Sequence, residues 1–137
     1  MGQQQLLLII LGVIVVGIAV AVGITMFTDN AVSSNRDAVT NDLVNLASRA
    51  QQHYRRPASM GGGEGAFDNS RGGTALAAVT QLTSKPSNSN GRYEISGTVA
   101  ASELTLRGVG REIVNGTDSV EVTMRVTPDS AVATVLH

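Results

Sequence analysis

The chain has 137 residues, of which 42% are hydrophobic, and a formal net charge of -1. All of its charged side chains, 10 Lys and Arg and 11 Asp and Glu, lie at or after Asp29, so residues 1–28 carry none. This division excludes a simple cytosolic enzyme, and the near-neutral charge argues against nucleic acid as a partner, because such binding needs a concentrated positive field. The absence of cysteine excludes disulfide bonds, thiolate metal sites and a cysteine nucleophile.

The N-terminal segment is predicted to form a helix that is able to cross a membrane. Every residue of 6–24 is apolar or glycine, and this run exceeds the roughly 18 residues that indicate a bilayer-spanning helix. The run is too long for a secretory signal peptide, whose apolar region of roughly 7 to 15 residues follows a basic start. Leu6 stands where the N-myristoylation motif has Ser or Thr. Two interpretations remain: an ordinary membrane anchor, and a helix that packs against copies of itself.

Small residues occur in this apolar run at intervals that favour close helix packing. Gly17 and Ala21 are four residues apart, and so are Ala19 and Gly23. Such spacing lets helix backbones approach each other, although glycine is also common in membrane helices generally. The candidate residues for helix–helix assembly are Leu6, Gly12, Gly17, Ala19, Ala21 and Gly23.

The same helix is predicted to continue into the charged part of the chain. No glycine or proline occurs between Ile24 and Pro57, so nothing ends the helix before Pro57. Apolar residues recur there at helical spacing, which predicts one helix from about Gln3 to Arg56 with a length of roughly 80 Å. Its apolar stripe begins at Val32, and the residues expected to pack against the rest of the chain are Val39, Leu43, Leu46, Ala50 and Tyr54.

The rest of the chain, residues 57–137, is called the head domain below. Its first part is predicted to be a connection, because the glycine-rich run 61–65 lacks the GK[ST] ending of a phosphate-binding loop. The Ala-rich stretch 74–82 predicts a short helix or strand that packs on the stripe. A loop follows at 84–91 and ends in the turn signal of Asn90 and Gly91.

Beyond residue 91 the apolar residues alternate with polar ones, as in a half-buried strand. Turn signals at 97–102, 115–116 and 128–129 predict about four strands in an antiparallel meander with one buried face. Asn115 also begins a glycosylation sequon, but a hairpin tip explains the same Asn-Gly pair, and modification is the weaker interpretation. The predicted fold class is therefore α+β, with a long helix packed against a four-stranded antiparallel sheet.

Residues suited to catalysis are sparse. The two histidines, His53 and His137, show no paired metal-ligand spacing, and the acidic residues are scattered singly. No nucleophile-elbow motif is present. We expect no enzyme activity and no catalytic, cofactor-binding or metal-binding residues.

An apolar helix that runs without a break into an amphipathic half, followed by a glycine-rich turn and an antiparallel sheet, resembles a type IV pilin or pilin-like filament subunit. As architecture, the resemblance covers essentially the whole chain. In that family a basic leader ending in glycine is removed, and the mature chain carries glutamate at its fifth position. Here Met1 and Gly2 form a minimal, non-basic leader, and a cut before Gln3 places Leu7 at the fifth position.

The resemblance implies a structural subunit of an extracellular type IV pilus-like filament. Its segments are the hydrophobic helix at 1–28, the amphipathic continuation at 29–56, the glycine-rich connection at 57–91 and the sheet at 92–137. The implied partners are copies of the same chain, with the inner membrane as the location before assembly, and neither nucleic acid nor a small-molecule substrate. The alternatives are a single-pass membrane-anchored surface protein with a small β binding domain, and a minor pseudopilin of a secretion or DNA-uptake machine.

Overall fold

One long helix dominates the structure, a computed structural model that describes residues 2–137. Helix α1 spans Gly2–Arg55, a length of 54 residues, and ends just before Pro57. At 1.5 Å per residue it is about 81 Å long, so the prediction of an unbroken helix is confirmed. Met1, the first residue of the expected leader, lies outside the described residues.

Four strands form a single antiparallel sheet in chain order. They are β1 (Gly91–Ala100), β2 (Glu103–Ile113), β3 (Ser119–Val126) and β4 (Ala131–Val135). Helix α1 packs on one face of the sheet, mainly across β2 and β3, which confirms the α+β fold class. The connection between α1 and the sheet contains two short 3-10 turns at Ala58–Met60 and Val79–Gln81, where a short helix or strand was expected.

The apolar stripe of α1 is the part of the helix that the head domain covers. Val39, Leu43 and Ala50 are fully buried and Leu46 nearly so, while Tyr54 is half-buried, with its ring centroid 5.0 Å from that of Phe67. Helix α1 also buries Ala47 and His53, which the sequence pattern did not single out. The sheet residues that complete this core are Tyr93, Leu104, Leu106, Val120, Val122, Met124 and Val126.

Two glycines of β2 let α1 approach the sheet closely. A Cβ on Gly108 would lie 2.7 Å from Cγ1 of Val39, and one on Gly110 would lie 2.1 Å from Oδ1 of Asn35. That oxygen accepts hydrogen bonds from the backbone N–H groups of Arg111 and Glu112. The space that a side chain at Gly110 would fill is therefore occupied by Asn35, which makes a polar contact between helix and sheet.

Three details of the sheet differ from the sequence-based expectation. Gly97 has a φ of 74° and lies inside β1, where the pairing with β2 is irregular, so it is not part of the turn. Gly91 is the first residue of β1, and a Cβ there would lie 2.2 Å from the carbonyl oxygen of Val109. On β4, Val132 and Val135 are 59% and 47% exposed, because Val132 pairs with Arg125 on the outer face and α1 packs mainly on β2 and β3, so the core side of this edge strand is poorly covered.

A cluster of hydrogen bonds around Asp42 joins α1 to the start of β1. Its Oδ2 accepts from the Tyr93 hydroxyl at 2.5 Å and from the side-chain amides of Asn88 and Asn90 at 2.8 and 2.9 Å. Partial burial by itself would raise the pKa of Asp42, but these three hydrogen bonds outweigh it and lower the pKa below its ordinary value. Burial and the bond to Asp42 raise the pKa of Tyr93.

Substitution of Asp42 tests this connection. Asp42→Ala is expected to lower the free energy of unfolding by about 1–3 kcal/mol, because the buried Tyr93 hydroxyl loses its acceptor. Since the folded-state pKa of Asp42 is depressed, its charge stabilises the fold above the unfolded-state pKa of about 4, and this contribution is lost as the pH falls through the folded-state value.

The measurement is denaturant unfolding of the full-length protein in detergent micelles, followed by circular dichroism from about pH 2 to about pH 7. Asp42→Asn is the control, because it keeps an acceptor oxygen but has no charge to titrate. The stability gap between wild type and this control should widen with rising pH. A gap that stays constant over this range would show that the charge contributes nothing.

Candidate membrane and assembly surface

The N-terminal part of α1 projects beyond the head domain. Val32 is the first residue of the helix that the head buries, whereas the large apolar residues from Leu6 to Phe27 are 52% to 80% exposed. About 30 residues, or roughly 45 Å of helix, therefore extend past the packed part. A continuous apolar surface of this size is unfavourable in water and must be covered by lipid or by protein.

This projecting segment is long and apolar enough to cross a membrane, and none of its most apolar stretch is buried inside the structure. Its few hydroxyl groups are satisfied within the helix, since Thr25 donates to the carbonyl oxygen of Ala21 and Thr28 to that of Ile24, both at 3.1 Å. The polar residues of the segment otherwise lie at its two ends, at Gln3 to Gln5 and from Asp29 onward. The structure is thus compatible with membrane insertion.

The small residues of this segment lie on two sides of the helix. At about 100° per residue, Gly12, Ala19 and Gly23 fall within about 40° of one another, and Gly17 and Ala21 lie on roughly the opposite side. A Cβ on any of the three glycines would meet no atom within 4 Å, so packing within the chain does not account for them. Of the candidate assembly residues, Leu6 is also exposed. The helix therefore offers two opposite surfaces for close packing.

The remaining candidate residues of the sequence, Gly2, Gln3 and Asn115, all lie at exposed positions. Gly2 and Gln3 form the first turn of α1. Asn115 lies in the connection between β2 and β3, where the Val114 N–H donates to the Asp118 carbonyl oxygen at 2.7 Å and Gly116 has a φ of 77°. The loop thus spans residues 114–118, not a two-residue hairpin as the Asn-Gly pair suggested, and Asn115 is exposed.

The face of the sheet that points away from α1 is covered by paired charges. Arg107 of β2 donates to Glu94 of β1 at 2.6 Å and to both carboxylate oxygens of Glu121 of β3 at 2.6 and 2.9 Å. The hydrogen bonds from Arg107 lower the pKa of Glu121. Arg125 and Glu103 form a further pair at 2.6 Å. This face is therefore a polar outer surface that is largely satisfied within the chain.

His53 is placed for packing within the head domain. It is buried on α1, and its Nε2 lies 2.6 Å from the carbonyl oxygen of Thr74, so it holds the connection against the helix. Within residues 2–137, no group of three or more His, Asp or Glu side chains is close enough to hold a metal ion.

Comparison with known proteins gives no match among protein-family models, curated proteins or solved structures. What the chain does must therefore be inferred from the geometry of the helix and the head domain.

Substitution of Val15, in the middle of the apolar run and 56% exposed, tests membrane insertion. Val15→Arg is expected to reduce the membrane-inserted fraction strongly, because an arginine at the centre of a spanning helix costs about 2.5–3.5 kcal/mol. The measurement is the fraction of protein that stays in the membrane pellet after a carbonate wash, with Val15→Leu as the control. An unchanged pellet fraction for the arginine variant would contradict insertion of this segment.

Proposed function

We propose that this protein is a structural subunit of an extracellular type IV pilus-like filament and that it polymerises through the apolar segment of α1. The observation that carries the proposal is the contrast within one helix. The head domain has a complete core built on the stripe from Val32 to Ala50, whereas the large apolar side chains of residues 6–27 are all more than half exposed. In a polymer, the copies of this segment cover each other and form the filament core.

The geometry of α1 favours a polymer over a simple anchor. The apolar segment continues into the head without a flexible linker, so that the heads follow the arrangement of the helices. A closed dimer needs one packing surface on each helix, whereas an open array needs two, since each copy must contact a neighbour on either side. The small residues around Gly12 and around Gly17 supply two such surfaces.

Before assembly, the apolar segment lies in the membrane, and in the filament it is shielded by its copies. The heads, with their charged outer sheet face, are then displayed to the surroundings at the cell surface. Any adhesive contact is made by these heads. The proposal includes neither catalysis nor a cofactor, and its partners are copies of this chain.

One observation favours an alternative, a single-pass membrane protein whose head binds a partner. The edge strand β4 exposes Val132 and Val135, and Leu136 follows them, so the sheet has an apolar edge that a binding partner would cover. A minor pseudopilin would share the whole architecture and differ in the number of copies that assemble.

Enlarging one small-residue surface separates these functions. Gly17→Leu combined with Ala21→Leu is expected to abolish filaments and to leave membrane insertion intact, because the larger side chains keep neighbouring backbones apart while the helix stays apolar. Filaments are counted by negative-stain electron microscopy of material from the cell surface, and insertion is measured by carbonate extraction.

The matched control is Gly17→Ala with Ala21→Ser, which keeps both residues small and should retain filaments. If wild-type protein extracted in mild detergent is a monodisperse monomer and no filament is seen, the polymer proposal is wrong and the anchor alternative stands. Mass spectrometry of the N-terminus in the same material shows whether Gly2 has been separated from Gln3.

A further inference from the structure

A basic groove runs along one flank of α1, between the helix and the head domain. It consists of two adjoining surface pockets of about 300 and 390 Å³ that share Arg49, and Lys85 lines one of them while Arg56 lines the other. Asp42 lies at the far end of the groove, but its Oδ2 already accepts three hydrogen bonds. Arg49 donates one N–H to the carbonyl oxygen of Leu82 at 2.8 Å and lines both pockets.

No carboxylate of the described chain pairs with these cations. The ion pairs found within residues 2–137 all lie on the outer face of the sheet and involve Arg107 and Arg125. Arg49, Arg56 and Lys85 are all exposed. The groove thus carries three exposed cationic groups that form no ion pair within residues 2–137.

Two exposed aspartates lie on another flank of the same helix. Asp29 and Asp37 are exposed and take part in none of the ion pairs within residues 2–137. At about 100° per residue, their mean direction differs from that of Arg49 and Arg56 by roughly 150° around the helix axis. Asp29 lies about 20° around the axis from the half-buried Arg36 and about 80° from Asp37, but it precedes Val32, the first buried residue of the helix, so both carboxylates are exposed.

The acidic and basic residues are spaced alike along the helix. Asp29 precedes Asp37 by roughly 12 Å and Arg49 precedes Arg56 by roughly 10.5 Å, at 1.5 Å per residue. Asp29 is about 30 Å from Arg49 along the axis, and Asp37 is about 28 Å from Arg56. A parallel second copy that is shifted by roughly 30 Å therefore brings Asp29 and Asp37 to the axial levels of Arg49 and Arg56.

We propose that the basic groove of one subunit binds Asp29 and Asp37 of a neighbouring copy and sets the axial register between heads. The inference rests on the proposed polymerisation, which requires parallel helices because all apolar segments share one core. Since the two patches lie on different flanks, each copy uses its groove toward one neighbour and its aspartates toward another, and the contact repeats without closing. Exposed ion pairs contribute little affinity but fix register and orientation.

The experiment reverses the charge of each patch in the full-length protein. One variant carries Arg49→Glu and Arg56→Glu, and the other carries Asp29→Arg and Asp37→Arg. Each variant by itself is expected to form at least about tenfold fewer filaments, because like charges then meet in every contact. When the two variants are mixed in equal amounts, or combined in one chain, filaments should return, since opposite charges meet again.

The control is Asp118→Arg with Asp129→Arg, which makes the same charge change at two exposed loop aspartates and should leave assembly unchanged. Rescue in the mixture also shows that each variant folds. If the single-patch variants form filaments like wild type, the register contact is wrong while the filament function stands. If wild-type protein forms no filament, both are wrong.

A different occupant of the groove is distinguished by a second readout. Binding of fluorescent dextran sulfate to wild-type filaments is compared with binding to filaments of the Arg49→Glu, Arg56→Glu variant. If this variant assembles normally and loses dextran sulfate binding, the groove serves an anionic polymer and the inference is overturned. Filament yield of the wild type should also fall with added salt, because exposed ion pairs are screened.

Discussion

The whole structure depends on one uncovered surface, the apolar half of α1. The head domain buries the helix only from Val32 onward, and a short chain has no second layer with which to cover the remaining roughly 45 Å. Exposure of the apolar residues 6–27 to water is unfavourable. The stable form of this protein must therefore have lipid or other chains around this segment. The outer face of the sheet is polar and its charges are paired within the chain. It can therefore face water whether lipid or other chains cover the helix.

Packing and polar contacts together hold the sheet of the head domain on α1. A stripe of small and branched residues on α1 meets a sheet in which Gly108 and Gly110 replace side chains, and this allows Val39 and Asn35 to reach the backbone of β2. The side chains of Asn88, Asn90 and Tyr93 donate hydrogen bonds to Asp42 of the helix. Because the connection, the first strand and the helix meet at one carboxylate, the position of the sheet along α1 is determined by polar contacts as well as by packing.

Much of the fold follows from local pattern. The absence of glycine and proline between Ile24 and Pro57 predicts the continuous helix, and the spacing from Val39 to Ala50 predicts which side of it is buried. Local signals were incomplete where tertiary contacts add to them. The turn signal of Asn90 and Gly91 is confirmed, since the Asn88 N–H donates to the Gly91 carbonyl oxygen at 2.9 Å, but it did not show that the amide of Asn90 binds Asp42 or that Gly91 begins β1. Val132 and Val135 were expected to be buried strand residues, yet three residues apart they point to opposite faces of the sheet, and both are exposed because α1 packs mainly on β2 and β3.

Local pattern was sufficient to predict the long helix, its apolar and amphipathic halves, the four strands and the small residues of the candidate assembly surface, because these features depend on periodicity within one element. The contacts between distant residues are evident only in the tertiary structure: the half-buried cluster at Asp42, the contact of His53 with the connection, and the groove formed by Arg49 of α1, Arg56 just after it and Lys85 of a distant loop. The hydrogen-bonded pairs among these groups are separated by 21 to 51 residues along the chain, and no local pattern predicts which of them the packing of helix on sheet brings together.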